Sequence, residues 1–312
     1  MGAVGGSVRA VPTPTEDAPA TGPATGPATS LALGDRRYDV ADRALVMGIL
    51  NRTPDSFYDK GLTFGLGDLV DRAAVLVADG ADLLDVGGVK AGPGPEVGEA
   101  EELDRVIPAI EALADRFDVP LSVDTWRASV AGAAYAAGAV VGNDISGFAD
   151  PGYLAAAAAA GASVVATHIR LAPRVPDPEP VYEGGVVGAV RSFLVDRAAR
   201  ALSAGIPAER IVLDAGLDLG KTADQSLELL RASAELAGLG HPLLLSASNK
   251  TFLGVVLDLP IDQRGPASLG AAALGVSLGC RIVRVHDVAG HRRVCDALAA
   301  ICRVRRGLPW AP

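Results

Sequence analysis

Short apolar runs recur along the chain from about residue 44 onward. Each run is rich in Val, Ile or Leu, ends in a polar residue, and is followed by a stretch with helical spacing. Continuous apolarity, rather than alternation of apolar and polar residues, is what a strand covered on both faces requires. The pattern therefore predicts buried parallel strands. These runs begin at residues 44, 83, 121, 140, 163, 211, 243 and 281.

Helical patterns lie between these runs, for example over 99–117, 185–204 and 266–279. Alternation of strands and helices is typical of the α/β class, and eight strand-helix units between residues 36 and 312 fit a single-domain (β/α)8 TIM barrel. The alternative is a doubly wound open sheet, which needs a glycine-rich nucleotide-binding turn after its first strand. The segment "GILNRTPDS" is not such a turn. The sequence therefore favours the barrel.

Residues 1–35 differ in composition from the rest of the chain. They are mainly Pro, Ala, Thr and Gly, and they contain the short repeat "TGPATGPATS". Such a segment buries too little apolar surface to offset the entropy lost on ordering. We therefore predict a disordered tail over 1–35 and the barrel domain over 36–312.

Composition and charge narrow the class of partner. The 312 residues are 49% hydrophobic and 21% charged, and the formal net charge is −9. The acidic balance and the lack of a dense Lys/Arg cluster argue against a nucleic-acid surface, and no apolar run has the length of a membrane span. Three cysteines without metal-ligand spacing, and an N-terminus unlike a signal peptide, indicate a cytoplasmic protein. A small molecule is the expected partner.

Polar residues follow strand after strand, at the end where barrel enzymes keep their active sites. At any single position an Asp or Asn could merely end a strand or cap a helix, but the whole set favours function. The four lysines of the chain, residues 60, 90, 221 and 250, all lie in strand-to-helix loops as well. The polar strand-end residues are Asn51, Asp85, Asp124, Asn143, His168, Asp214, Ser248, Arg284 and His286.

A series of motifs resembles the dihydropteroate synthase family of pterin-binding barrels, and the resemblance covers residues 44–303. In the order of the family, the matching segments are "VMGILNRTPDSFYDKG", "DVGG", "SVDTWRASVA", "GNDISG", "LDAGLDLGKT", "SNKTFLG" and "RVHDV". The resemblance implies a TIM barrel, a cytoplasmic homodimer, and a transferase of folate biosynthesis that condenses 6-hydroxymethyl-dihydropterin diphosphate with p-aminobenzoate.

The resemblance also implies a pterin site. A pterin presents adjacent N–H donors beside a carbonyl acceptor, so it needs a carboxylate on one side and a cation or amide on the other. By motif match, Asp214 binds the amino edge, Asn143 and Asp124 bond the rest of the ring, and Lys250 reaches the carbonyl. Arg284 lies over the ring face. Taken singly, Asp214 could instead be a helix cap and Arg284 a salt bridge at the barrel mouth.

Catalytic roles follow from the same resemblance. Asn51 would help to hold Mg²⁺ on the diphosphate, while Asp124 would stabilise a cationic pterin methylene and Lys250 would act beside it. Arg284 and His286 would bind the diphosphate, although His286 could equally be a neutral packed ring. The first loop, over residues 53 to 55 (Thr, Pro, Asp), would fold over the site and exclude water.

Three departures from the family pattern affect the second substrate and the leaving group. After "DVGG" the family typically continues with Glu-Ser-Thr-Arg-Pro-Gly, whereas this chain has "VKAGPG", which places Ala91 and Gly92 where the Thr and Arg would be. In "SNK" the usual Arg is Asn249. A hydroxyl and two guanidinium groups are therefore missing from positions that would contact the diphosphate and p-aminobenzoate.

Four readings of the function follow. The first is a paralogue with a retained pterin pocket and weak or absent dihydropteroate synthase activity. The second is an active synthase in which Arg52, Lys60 and Lys90 compensate for the missing groups. The third is a non-catalytic pterin-binding protein. The fourth is a methyltetrahydrofolate methyltransferase on the same barrel, which would need a corrinoid partner that no part of the sequence indicates.

Overall fold

The predicted apolar runs form eight parallel strands that close into a barrel. The computed structural model describes residues 26–53, 65–92 and 94–305. The strand order around the barrel is sequential, and the last strand pairs with the first, so the sheet closes. This confirms the (β/α)8 barrel, and the open-sheet alternative is wrong. The strands are β1 (Ser30–Leu33), β2 (Arg36–Asp39), β3 (Leu45–Asn51), β4 (Leu83–Gly87), β5 (Leu121–Asp124), β6 (Val141–Asp144), β7 (Ser163–Thr167), β8 (Ile211–Asp214), β9 (Leu243–Leu245) and β10 (Cys280–Val285), of which β3 to β10 form the barrel.

Helices follow the barrel strands and cover the outer face of the sheet. The helices predicted over 99–117, 185–204 and 266–279 are confirmed, with ends that differ by one or two residues. Among the described helices, none combines the length and apolar composition that a membrane span requires. The helices are α1 (Leu66–Ala78), α2 (Glu99–Arg116), α3 (Ala128–Ala136), α4 (Tyr153–Ala159), α5 (Val186–Ser203), α6 (Ala223–Arg231), α7 (Ser233–Ala237), α8 (Thr251–Leu257), α9 (Gly265–Ser277) and α10 (Val288–Arg305).

Strand β3 shows why the apolar runs are continuous. Its alternate residues Leu45 and Met47 belong to a hydrophobic cluster inside the barrel. Val46 and Leu50 belong to a second cluster, which lies between the sheet and the helices. Both faces of the strand are therefore buried, as parallel sheets require, and neither face can carry a regular polar pattern.

An antiparallel hairpin of β1 and β2 packs against the interior cluster of the barrel. Leu31 and Leu33 of this hairpin are buried among the inward-facing residues near the strand starts. The Ser163 hydroxyl, at the first residue of β7, donates a hydrogen bond of 2.6 Å to the Ala32 carbonyl. The hairpin therefore closes the end of the barrel opposite the strand ends where the polar residues lie.

This hairpin corrects one boundary drawn from the sequence. The tail was predicted to extend to residue 35, but β1 begins at Ser30 and its next three residues are buried. Composition alone missed the segment, because the four residues "SLAL" directly follow the repeat rich in Pro, Ala and Thr. Residues 1–25 of the predicted tail, and positions 54, 55 and 60 of the first loop, lie outside the described residues.

The hairpin gives a stability prediction. Substitution Leu31→Ala removes a fully buried side chain from the barrel interior, so we expect the free energy of unfolding to fall by about 2–5 kcal/mol. Urea denaturation followed by circular dichroism measures the change. The control Leu202→Ala removes the same atoms from a side chain that is 46% exposed, and should alter stability by no more than about 0.5 kcal/mol. Equal effects of the two substitutions would contradict this role of the hairpin.

Candidate functional site

A pocket opens at the carboxyl ends of the barrel strands. It draws its walls from several different strands and from the loops that follow them, as expected for this face of a barrel. Its lining includes all five of the predicted pterin-binding residues, namely Asp124, Asn143, Asp214, Lys250 and Arg284. The structure therefore brings together side chains that are up to 160 positions apart in the sequence.

A buried carboxylate organises one side of this pocket. Asp85 lies in the middle of β4 and has no exposed surface. Its Oδ1 accepts a hydrogen bond of 2.5 Å from the Ser122 hydroxyl, and its Oδ2 accepts from Asn143 Nδ2 at 3.1 Å and from Arg284 Nε at 2.6 Å. Ser122 lies directly opposite Asp85 in the neighbouring strand. Asp85 therefore fixes the positions of two residues of the pocket.

Asp85 is recognisable from the sequence as a strand-end residue, but the family resemblance assigns it no role in the site. The sequence did contain a signal that Asp85 has buried partners, because it is a charged residue within the apolar run "LLDVGG". A carboxylate in a fully covered strand needs buried hydrogen-bond partners, and here they come from other strands of the barrel. That requirement could have linked Asp85 to the polar residues of the next strands.

Arg284 bridges two carboxylates at the barrel mouth. Besides the bond to Asp85, its Nη2 donates to Asp124 Oδ2 at 2.7 Å. Burial opposes the guanidinium charge, but Asp85 and Asp124 outweigh that effect and raise the pKa of Arg284 above its usual value. The salt bridge at the barrel mouth that the sequence left open is therefore present. It also fixes the plane of a guanidinium that lines the pocket.

Asp124 is the titratable carboxylate of this group. Burial raises its pKa to about 7, against the lowering effect of Arg284 and with a smaller raising effect of Asp85. The same Oδ2 of Asp124 lies near Gly87, as Asn51 Oδ1 does, and a Cβ atom at Gly87 would lie 3.7 Å from each of these oxygens. Both oxygens are therefore within van der Waals distance of the same point beside the Gly87 backbone.

A tight turn after β8 positions Asp214. Gly216 has φ +65°, and a Cβ atom there would lie 2.0 Å from the carbonyl oxygen of His168, so only glycine fits. The Gly216 N–H donates a hydrogen bond of 2.8 Å to Asp214 Oδ1. Within the described residues, Oδ2 of Asp214 has no hydrogen-bond partner, and burial raises the pKa of this carboxyl. The turn therefore presents one carboxylate oxygen to the pocket.

Lys250 is held beside Asp214 by the same loop. Its Nζ donates a hydrogen bond of 3.1 Å to the Leu217 carbonyl. The Asp218 carboxylate accepts hydrogen bonds from the backbone N–H groups of Thr251 and Phe252, at 2.5 and 3.2 Å, which fixes the start of α8 directly after Lys250. Burial lowers the pKa of Lys250, and Asp218 and Asp214 oppose that shift.

A lysine-histidine pair supports this loop without lining the pocket. Lys221 Nζ lies 2.9 Å from His168 Nδ1 and donates a bond of 2.9 Å to the Leu219 carbonyl. Burial lowers the pKa of Lys221 to about 7, and burial together with Lys221 lowers that of His168 to about 3. The imidazole is therefore neutral, and its Nδ1 can accept a hydrogen bond from the ammonium group.

Two predicted residues stand outside the lining of this pocket in the part of the chain described. Asn51 ends β3 and faces Gly87, as noted above. His286 follows β10, and its Nδ1 lies 3.0 Å from the Ser248 hydroxyl. Both lie at the carboxyl end of the barrel strands, and Asn51 lies close to Gly87, as Asp124 does.

The structure shows the surroundings of three positions that depart from the family pattern, namely residues 52, 91 and 249. Ala91 lines the pocket with only a methyl group. Asn249 has φ +56° and is 8% exposed, and its N–H and side-chain oxygen both contact the Ser268 hydroxyl. Arg52 donates from Nη1 to the carbonyl of Arg105 in α2 at 2.7 Å. Asn249 is uncharged, and Nη1 of Arg52 is bonded to a backbone carbonyl of α2, so neither group supplies a charge to the pocket.

The chain matches a known family model over most of the barrel. The model is that of the pterin binding enzymes, and it matches residues 47–286. This range begins within β3 and ends one residue after β10, so it spans nearly the whole barrel and all five pocket residues discussed above.

Individual relatives and solved structures agree with this match. The chain is 46% identical over 269 residues to the protein named inactive dihydropteroate synthase 2 of Mycobacterium tuberculosis, covering 85% of both chains. It is 41% identical over 281 residues to a dihydropteroate synthase of Synechocystis, covering 89% of this chain and 94% of the relative. The Yersinia pestis dihydropteroate synthase in a sulfonamide drug complex superposes with a TM-score of 0.84 at 37% identity, covering 88% of this chain and 99% of that structure. The chain therefore belongs to the dihydropteroate synthase family of pterin-binding enzymes.

Proposed function

We propose that this protein binds a pterin in the pocket at the barrel mouth and has weak or no dihydropteroate synthase activity. One observation carries the proposal: the five candidate pterin-binding side chains line a single pocket, whereas positions 91, 92 and 249 hold Ala, Gly and a buried Asn. The part of the site suited to the pterin is thus retained, and the part suited to the other reactants is altered. The Mycobacterium tuberculosis relative is named an inactive dihydropteroate synthase, which is consistent with the proposed low activity.

The chemistry of the pocket suits a pterin edge. Asp214 Oδ2 can accept from the adjacent N–H donors of the 2-amino-4-oxo ring, and the Lys250 ammonium can donate to the ring carbonyl. Asp124 and Asn143 complete the polar contacts, and the planar guanidinium of Arg284 can stack on the ring face. Each assignment rests on the position of the side chain and its hydrogen-bonding capacity.

The altered positions explain why synthesis would be weak. Condensation with p-aminobenzoate requires groups that orient the second substrate and stabilise the departing diphosphate. Ala91 provides no hydroxyl and Gly92 no guanidinium, while Asn249 is directed towards Ser268. Loss of one charged hydrogen bond in a binding site costs about 1.5–3 kcal/mol. Two or three such losses would lower the rate by several orders of magnitude.

An active synthase is the second candidate. The Synechocystis relative at 41% identity carries the name of the active enzyme, and Lys90 lies next to Ala91, where it could supply a charge. Compensation by Arg52 is less supported, because its guanidinium contacts backbone carbonyls of α2. An assay of dihydropteroate formation separates the two candidates.

We also propose that the protein forms a homodimer in the cytoplasm, as the resemblance to the family implies.

The two oxygen atoms beside Gly87 are of the donor type that suits a magnesium ion. Asn51 Oδ1 and Asp124 Oδ2 are hard ligands of the kind that Mg²⁺ prefers. The described ranges contain no group of three or more His, Cys, Asp or Glu side chains that could hold a metal ion by themselves. Such an ion would therefore need phosphate oxygens of the substrate as further ligands, and when bound it would neutralise charge on the diphosphate.

The pterin pocket gives a binding prediction. Substitution Asp214→Asn keeps an oxygen for the Gly216 N–H but removes the negative charge, so we expect the affinity for 6-hydroxymethyl-dihydropterin to fall about 10- to 100-fold. Isothermal titration calorimetry measures the affinity. The control Asp115→Asn, on the exposed face of α2, should bind as wild type does. Unchanged binding by Asp214→Asn would exclude this carboxylate as the pterin anchor.

The altered positions give a prediction for activity. We expect wild-type protein to form dihydropteroate from the pterin diphosphate and p-aminobenzoate, with Mg²⁺ present, far more slowly than the Synechocystis relative. The double substitution Ala91→Thr, Gly92→Arg should raise kcat/KM at least about tenfold, because it restores a hydroxyl and a guanidinium. Among the described residues, a Cβ atom at Gly92 has no neighbour closer than Lys90 Cε at 4.0 Å, so the backbone there accepts a Cβ without a clash.

The matched control is Gly188→Arg, which adds the same side chain on α5, where a Cβ atom meets nothing within 4 Å. It should leave the rate unchanged. Product is quantified by mass spectrometry. Wild-type turnover equal to that of the Synechocystis relative would establish the second candidate instead. A double variant no faster than wild type would show that positions 91 and 92 do not limit the reaction.

A further inference from the structure

The turn that carries Asp214 is held by the residue that follows the neighbouring strand. His168 comes directly after β7, and Asp214 is the last residue of β8. The His168 N–H donates a hydrogen bond of 3.0 Å to the Asp214 carbonyl, which continues the pairing of the two strands. The His168 carbonyl in turn lies against Gly216, whose N–H binds the Asp214 carboxylate. The backbone of His168 therefore contacts both ends of this turn.

Lys221 fastens the far end of the same loop to His168. Its Nζ lies 2.9 Å from His168 Nδ1, and it donates to the His168 carbonyl at 3.3 Å and to the Leu219 carbonyl at 2.9 Å. A charged lysine has three N–H donors and no acceptor, so each donor has a partner within hydrogen-bond distance. The Lys221–His168 pair therefore closes the loop over 214–221 against the end of β7.

The pair acts on this loop from outside the pterin pocket. Asp214, Gly216 and Leu219 line the pocket, whereas neither Lys221 nor His168 belongs to its lining in the part of the chain that the structure describes. Both residues are buried, with 8% and 5% of their surface exposed. Neither side chain therefore contacts a ligand in the pocket, but both determine where the loop that lines it lies.

The number of donors that Lys221 offers depends on its charge. An ammonium group has three N–H donors but a neutral amine has two, so deprotonation leaves one of the three acceptors without a donor. Burial lowers the pKa of Lys221 to about 7, so its charge changes near neutral pH. His168 stays neutral in this range, because its pKa is lowered to about 3. The other charged or titratable groups around the pair are Arg170, Asp177 and Tyr182 before α5, Asp214 and Asp218 at the end of β8 and after it, and Lys250 before α8.

We propose that Lys221 in its charged form and His168 are positioning residues for the pterin, because together they hold the loop that presents Asp214 Oδ2 to the pocket. The pair does not touch the ligand and acts only through this loop. Pterin affinity is thereby coupled to the charge of a lysine outside the pocket, and it falls as Lys221 loses its proton. The inference rests on the proposed function, since it requires that a pterin binds Asp214.

Substitution Lys221→Met tests the role of the charge, because methionine keeps most of the apolar chain and removes every N–H donor of the side chain. We expect wild type to bind 6-hydroxymethyl-dihydropterin at least about tenfold more tightly than Lys221→Met at pH 6, measured by calorimetry. At pH 8 this ratio should be about threefold or less, because wild type has then lost the charge as well. The ratio is measured because Asp124, whose pKa is also about 7, titrates in both chains.

Two outcomes of this titration would overturn the proposal. Equal affinities of the two chains at pH 6 would show that Lys221 does not position the loop for the pterin. A ratio that is the same at pH 6 and pH 8 would show that the size of the side chain matters and its charge does not. The control Arg191→Met removes a cation from α5, where the side chain is 51% exposed, and should match wild type at both pH values.

Two substitutions of His168 keep the test decisive if Lys221→Met disturbs the fold. His168→Asn retains an acceptor close to the position of Nδ1, but it loses the ring that packs edge-on against Phe193 with 4.8 Å between ring centroids. His168→Leu retains apolar volume, but it leaves the Lys221 ammonium with one acceptor fewer. At pH 6 we expect His168→Asn to bind the pterin within about threefold of wild type, and His168→Leu to bind it at least about tenfold more weakly. Equal affinities of the two variants, or the reverse order, would assign His168 a packing role only and overturn the proposal.

Hydrogen exchange separates this proposal from the proposed function, because it needs no ligand. We expect the backbone amides of residues 215–222 to exchange at least about fivefold faster in Lys221→Met and His168→Leu than in wild type at pH 6, measured by mass spectrometry. Unchanged exchange would overturn the proposal whether or not a pterin binds. A wild-type chain that binds no pterin, but whose exchange responds to these substitutions, would refute the proposed function and leave the pair as the anchor of the Asp214 loop.

Discussion

The arrangement of the barrel mouth depends on the buried carboxylate of Asp85. A carboxylate with no exposure to water is tolerated only when its oxygens are hydrogen-bonded and its charge is opposed, since an unpaired buried charge costs several kcal/mol. Ser122, Asn143 and Arg284 meet that requirement from three other strands. Because Arg284 also binds Asp124, one buried charge determines the orientation of three residues of the pocket.

The charged side chains that line the pocket are of both signs. In the pocket, Asp124 and Asp214 alternate with Lys250 and Arg284, so positive and negative groups nearly balance, and the buried Asp85 adds a further negative charge. Such a site suits a neutral ring with donors and acceptors along its edge rather than a free polyanion.

The sequence predicts the fold and the location of the site because both depend on strand positions. A short run that is apolar on both faces and rich in β-branched residues favours a covered strand, and in a barrel the polar residue at its carboxyl end lies at the mouth. The contacts of Asp85 and Lys221 could not be predicted in this way. The partners of Asp85 depend on the register between neighbouring strands, and Lys221 lies in a loop whose contacts depend on how closely it approaches the residue after β7.

The same distinction explains why the retained and altered parts of the site differ. The pterin-side residues Asp124, Asn143 and Arg284 belong to strands, and each has a hydrogen bond or ion pair with a buried partner. Replacing one of them would leave a buried polar group unsatisfied and so destabilise the barrel itself. Ala91 and Gly92 lie in a loop, where no such cost opposes substitution. Folding stability thus opposes substitution of these three pocket residues, whereas it places no such constraint on Ala91 and Gly92.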